Sequence, residues 1–177
     1  MSAPPGGTSR GGSAAWWIKC DPTAAAHRGW NWPDLFDEYR LGVPYLWSVG
    51  TPLSQKNARA ASRGDPVLGY SAGEGYRELR ALAEVVAGGV MVRGTPPPSR
   101  SSPLPGGFTV ALRPVALLDR PLPLADLRRA LRRFEPEFFR TRFGSIFKVT
   151  RPELRAVLRE AGRANPSVRL PRSAKWR

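Results

Sequence analysis

The alternation of apolar and polar positions predicts short strands interleaved with helices. Ala14 to Lys19 (AAWWIK) reads as an aromatic strand, and residues 20 to 32 as a loop. Pro33 and the acids of DLFDEY suit a first helical turn, so a helix is expected from Pro33 to about Arg40, ended by Gly42. Tyr45 to Val49 returns as a strand. Ser54 to Arg63 (SQKNARAASR) reads as a polar helix with Ser54 as N-cap and Gly64 as its stop. Pro66 to Ser71 is the next apolar strand.

Residues 77 to 87 (RELRALAEVVA) are ambiguous. Propensity favours helix, whereas the flanking glycines and short length allow a strand, and periodicity does not decide. The Pro-rich stretch 93–107 predicts a flexible loop. Phe108 to Leu118 is a strand pair or one bulged strand, because Pro114 cannot donate in a central ladder. In LADLRRALRRF, Leu124, Leu127, Leu131 and Phe134 share one helical face, and Arg128, Arg129, Arg132 and Arg133 the other. Thr150 and Glu153 form a capping box for a last helix, with Leu154, Val157, Leu158 and Ala161 as its apolar face and Gly162 as its end.

This pattern predicts an α+β domain of five or so short strands interleaved with short helices, a small barrel rather than a parallel sheet. A Gly-, Ser- and Pro-rich lead-in, residues 1–13, is expected to be disordered, and a basic tail, residues 163–177, to be mobile.

Charge sharpens the picture. The chain of 177 residues is 41% hydrophobic, enough for a core, yet carries a net charge of +14. Its pI near 11.3 points to a polyanionic partner. From Arg120 to Arg177 lie 16 Lys and Arg against 5 Asp and Glu, which places +11 of the charge in that third. Only four of the 28 basic residues are Lys, so an Arg-rich background accounts for part of this. The lone Cys20 makes no internal disulfide and suits a cytoplasmic setting. The sole histidine, His27, cannot build a zinc site even with Cys20. No apolar run approaches the roughly 20 residues that span a bilayer, so no membrane role is expected.

Chemistry is sparse. No nucleophile sits beside a base, and Asp34, Asp37 and Glu38 make a weak acid set, so neither catalysis nor a cofactor or metal is expected. Aromatic residues stand out instead. Trp16, Trp17, Trp30, Trp32 and Trp47 all fall in the first 47 residues. Stacking on such rings stabilises a base by roughly 1–3 kcal/mol, and two or three walls can hold a flipped one. Strand alternation puts one of Trp16 and Trp17 inward and the other outward. Gln55, Lys56, Asn57 and Arg59 could bond base edges or phosphates, and the arginine pairs at 128/129 and 132/133 could bond phosphates. Asp65, between Gly64 and Pro66, reads as turn chemistry.

The motif order resembles EVE domains. WWIKCDP (Trp16 to Pro22) is similar to that family's aromatic opening strand ending in Lys-Ser-Glu-Pro. The Trp47 segment resembles its Trp-Asp-Gly-Val stretch and polar helix, and GDPVLGY (Gly64 to Tyr70) its Gly-Asp-x-Val-x-x-Tyr strand. LAEVVA (Leu82 to Ala87) then falls where the family has a strand, and Thr150 to Leu158 resembles the closing helix. The resemblance covers residues 14–162 and implies an α+β, PUA-like fold related to YTH domains, a small curved β-barrel of about five to six strands surrounded by short helices, that reads a modified base such as a methylated or hydroxymethylated cytosine or a methyladenine. It places Trp47 and Tyr70 at the pocket, Ser48 and Val49 on the same turn, Asn57 or Gln55 on the helix, and Trp17 and Lys19 on the first strand. Lys56, Arg59, Arg128, Arg132 and Arg142 would meet the nucleic-acid backbone. Cys20-Asp21 replaces the family's Ser-Glu, and Ser48 replaces its Asp. The implied partners are DNA or RNA and a separate effector such as a nuclease, with the chain monomeric. A general RNA-binding module without modification preference fits the same residues. A PUA-like nuclease fits less well, given one His and no clustered carboxylates.

Overall fold

In the computed structural model, which describes residues 14–20, 45–49, 51–72, 77–91, 108–141, 146–169, 171 and 173–176, the alternating segments form one mixed sheet. Its strands are β1 (Ala15–Cys20), β2 (Tyr45–Val49), β3 (Pro66–Ser71), β4 (Glu78–Met91), β5 (Phe108–Pro123) and β6 (Ile146–Val149). The order is β2-β5-β4-β3-β1-β6. Among the described strands only β1 and β3 pair in parallel, with Trp16 opposite Val67 and Lys19 opposite Tyr70. Among the described residues four helices accompany them: α1 (Pro52–Ala60), α2 (Leu124–Ala130), α3 (Glu137–Arg140) and α4 (Arg151–Ala164). A 3₁₀ turn, Ala174–Trp176, ends the described chain.

Residues 78–91 are strand, against their helical propensity, because β3 and β5 hydrogen-bond β4 from both sides. β5 is a single strand. Its register with β4 slips at several points, one of them where Pro114 faces Ala83. Such bulges bend a sheet, and α1 packs against β2, β4, β5 and β6.

Both faces of the sheet are covered, which corrects the inward–outward reading of Trp16 and Trp17. Trp16 is 1% exposed and Trp17 0%. Alternation does separate them, but into two cores. Trp16, Ile18, Val67, Val85, Val110 and Ile146 pack around Ala58 and Ala61 of α1. Trp17, Leu68, Leu82 and Phe147 pack beneath Leu127, Phe138, Leu154 and Val157 of the other helices.

Four helix boundaries move; one is the end of α1, which closes at Ala60 with Ala61 as its C-cap, short of the expected Arg63 and Gly64 stop. α1 begins at Pro52, capped by Thr51, whose hydroxyl accepts from the Ser54 amide at 3.3 Å. Ser54 is inside the helix and fully buried, and its hydroxyl accepts from Ile146 N at 3.4 Å. α2 stops at Ala130, and Leu131 to Phe134 tighten into turns ahead of Pro136. α4 keeps its predicted capping box, with the Thr150 amide donating to Glu153 Oε2 at 2.7 Å. It passes Gly162 and ends at Ala164, with Asn165 as its C-cap, whose side-chain amide donates to Ala161 O and Arg120 O.

The tail does not hang free. Trp176 is 4% exposed and belongs to the core under α4. Burying one indole offsets the ordering of the few residues around it. The expected helix at 33–40 and loop at 93–107 lie outside the described residues.

Candidate functional site

Strand register assembles an aromatic cluster from residues far apart in sequence. Trp17 of β1, Tyr70 of β3 and Phe147 of β6 meet Phe138 of α3. The Trp17 ring stacks on Phe138 at 4.8 Å and 20°, and Tyr70 meets Phe138 edge-on at 4.7 Å and 76°. Trp17 and Tyr70 are 6.3 Å apart and perpendicular. Burial pushes the Tyr70 phenol up to about 12, against the pull of Arg77 and Arg128, with Glu78 adding to the rise. Among the described residues, the Trp17 indole Nε1 is buried without an acceptor. That orphan donor is one hydrogen bond short of satisfaction.

The structure therefore brings Trp17 and Tyr70 together but encloses both. Trp47, Ser48 and Val49 lie on the edge strand β2, opposite Val110, Thr109 and Phe108, and β5 and β4 intervene before β3. The side chains of β2 lie outside the described residues, as do Trp30, Trp32, His27, Asp34, Asp37, Glu38 and Arg142. Lys19 is half-buried at the end of β1.

On α1, Asn57 departs from the expected edge-reading role. It is 8% exposed, and its Nδ2 donates to Ile146 O at 3.0 Å. With Ser54 it satisfies the outer edge of β6, a backbone demand that sequence periodicity does not display. Gln55 is half-buried, while Lys56 and Arg59 are exposed. Arg128 and Arg132 are exposed on α2 and its following turn.

Asp65 carries more than a turn. It is 2% exposed. One carboxylate oxygen accepts from Trp16 Nε1 at 3.0 Å and from Ser62 N at 2.8 Å. The other accepts from Lys175 Nζ at 2.8 Å, and the same ammonium donates to Arg63 O at 2.7 Å. The carboxylate thus ties β1, the α1–β3 turn and the C-terminal segment into one network.

Among the described residues, no three His, Cys, Asp or Glu cluster so as to hold a metal ion. None of the described helices is long and apolar enough to cross a membrane.

The EVE domain family model matches residues 14–160. This chain belongs to the EVE domain family. Among solved structures, this EVE domain is similar to a hypothetical protein from Leishmania major, with TM-score 0.63, 22% identity, and 85% and 95% of the two chains covered. A protein from Agrobacterium tumefaciens matches with TM-score 0.56 and 25% identity over 86% of this chain and 96% of that one. Human THYN1, solved in complex with 5-methylcytosine-containing DNA, matches with TM-score 0.56 and 18% identity over 84% of this chain and 98% of its own. Among curated proteins none matches. The bent six-stranded sheet with its helices is thus the PUA-like architecture that the EVE motifs imply, an α+β fold.

Proposed function

We propose that this EVE domain is a non-catalytic reader that binds nucleic acid and holds one modified base, flipped from its stack, against Trp47. The observation that carries the reading is the shared fold with human THYN1, whose structure holds DNA containing 5-methylcytosine. A net charge of +14 supports it, since a basic domain attracts phosphate backbones whatever their sequence.

In this reading Trp47 supplies the stacking face, and Ser48 and Val49 follow it at the end of β2, next to α1. Gln55 on α1 and Lys19 at the end of β1 are the candidates for polar contacts. Trp17 and Tyr70 form the aromatic floor that fixes the strands, and Asn57 holds β6. Ser48 donates and accepts through a hydroxyl where an aspartate would only accept, so it can pair with an acceptor on the base edge as well as with a donor.

A binding panel tests this. Oligonucleotides carrying 5-methylcytosine, 5-hydroxymethylcytosine or methyladenine, in DNA and RNA, single- and double-stranded, are compared with plain ones at fixed salt. One modification is expected to bind more tightly than its unmodified counterpart. Equal affinity throughout, with single-stranded RNA bound most tightly, selects the general RNA-binding module instead.

A further inference from the structure

The helical layer over the Trp17 core carries a groove of about 590 Å³ that no step of the base-reading account uses. One wall is α2 and its following turn, which present Arg129, Arg132 and Arg133. The other is α4, which presents Arg155, Arg159 and Arg163. Spacing by four residues puts these last three in one row, about 6 Å apart along the helix axis. The floor includes Phe134 and Ala156.

Charge in this groove is poorly compensated. Among the described residues, Glu160 is its one acidic lining residue, and it is taken by Arg163 at 2.9 Å and Arg129 at 3.5 Å. Arg129 also pairs with Asp126 at 2.6 Å. Among the described residues, the side chains of Arg132, Arg133, Arg155 and Arg159 have no ion-pair or hydrogen-bond partner and are exposed. Like charges in adjacent turns destabilise a helix. Guanidiniums facing each other across a concave, low-dielectric floor focus a positive field into the space between them. The fork geometry of arginine suits phosphate oxygens.

We infer that the α2–α4 groove is a second nucleic-acid contact, one that takes the phosphodiester backbone of a strand irrespective of its bases. It rests on the nucleic-acid reading above but not on the Trp47 pocket. The groove belongs to the helical layer that covers the Trp17 core, whereas α1, next to β2, packs on the Trp16 core. A strand seated in the groove would raise affinity for modified and plain substrates alike.

The test measures affinity for one oligonucleotide with and without the modified base, over a salt series. Arg155→Ala/Arg159→Ala removes one wall and Arg132→Ala/Arg133→Ala the other. Arg63→Ala/Arg120→Ala is a charge-matched control, since neither residue lines the groove. Each groove pair is expected to weaken both substrates by about tenfold or more and to lower the slope of log affinity against log salt by about 2. The modified-to-plain ratio is expected to stay unchanged. Inorganic tripolyphosphate at equal phosphate concentration is expected to leave the oligonucleotide bound. Equal losses in groove and control pairs overturn the inference, as does displacement by tripolyphosphate. A groove variant that changes only the modified-to-plain ratio overturns it too. Loss of that ratio in Trp47→Ala alone concerns the pocket and leaves the groove standing.

Discussion

Trp16 Nε1 donates to Asp65 Oδ2 at 3.0 Å across 49 residues of sequence, and both groups are buried. This bond locks the parallel start of β3 beside β1, and Lys175 closes the carboxylate's other side. Replacing Asp65 with Ala strands the Trp16 indole and Ser62 amide donors and leaves Lys175 with the Arg63 carbonyl alone. Asp65→Ala is therefore expected to lower unfolding free energy by about 3 kcal/mol in urea titration. Lys175→Ala is expected to cost about 1 kcal/mol, because its side chain is 35% exposed and Asp65 keeps two other donors.

Gly88 sits where α1 meets β4. A Cβ there would lie 1.9 Å from Ala61 O and 2.8 Å from Ala61 C. Backbone cannot yield as a flexible side chain can, so Gly88→Ala must push α1 off the sheet. The expected loss is about 3 kcal/mol by thermal melting, with faster amide exchange in α1 than in α4.

Asn57 separates a structural role from a reading one. Asn57→Ala leaves the Ile146 carbonyl without its side-chain donor, which is expected to cost about 1–2 kcal/mol in stability. Oligonucleotide affinity at a temperature well below the melt is expected to stay within twofold of wild type, an estimate of roughly 0.4 kcal/mol. A large loss of modified-base preference instead would make Asn57 a reader.

Tyr70 gives a pH dependence. Its phenol ionises near 10.0 in the unfolded chain and at about 12 in the folded one. The unfolded state therefore loses its proton first. Stability from this group is complete below pH 10 and is lost as pH rises through about 12, by about 2–3 kcal/mol. Denaturant titrations over that window are expected to show the fall in wild type and a shallower one in Tyr70→Phe.

Much of this fold was legible because alternation and capping are local. The Thr150/Glu153 box and the strands at 45–49 and 66–71 needed only neighbouring residues. Where two hydroxyls compete, as Thr51 and Ser54 do, the choice of cap depends on β6, which takes Ser54's hydroxyl from 92 residues away. β4 needed partners on both edges to override its helical propensity. The burial of both Trp16 and Trp17 depended on helices covering both faces, which one strand's alternation does not reveal. The motif order gave no sign that Tyr70 is enclosed, because that depends on Phe138 and the helices over it. The arginines of α4 were readable from their i, i+4 spacing in RPELRAVLREAGR; their convergence with α2 was not.

The central claim is that Trp47 stacks on a modified base. Its most direct test is the affinity ratio between a modified oligonucleotide and its plain counterpart, for wild type and Trp47→Ala at one salt concentration. Stacking contributes roughly 1–3 kcal/mol per base, so the wild-type preference is expected to collapse in the variant, with about tenfold or greater loss on the modified strand. An unchanged ratio in Trp47→Ala would contradict the account.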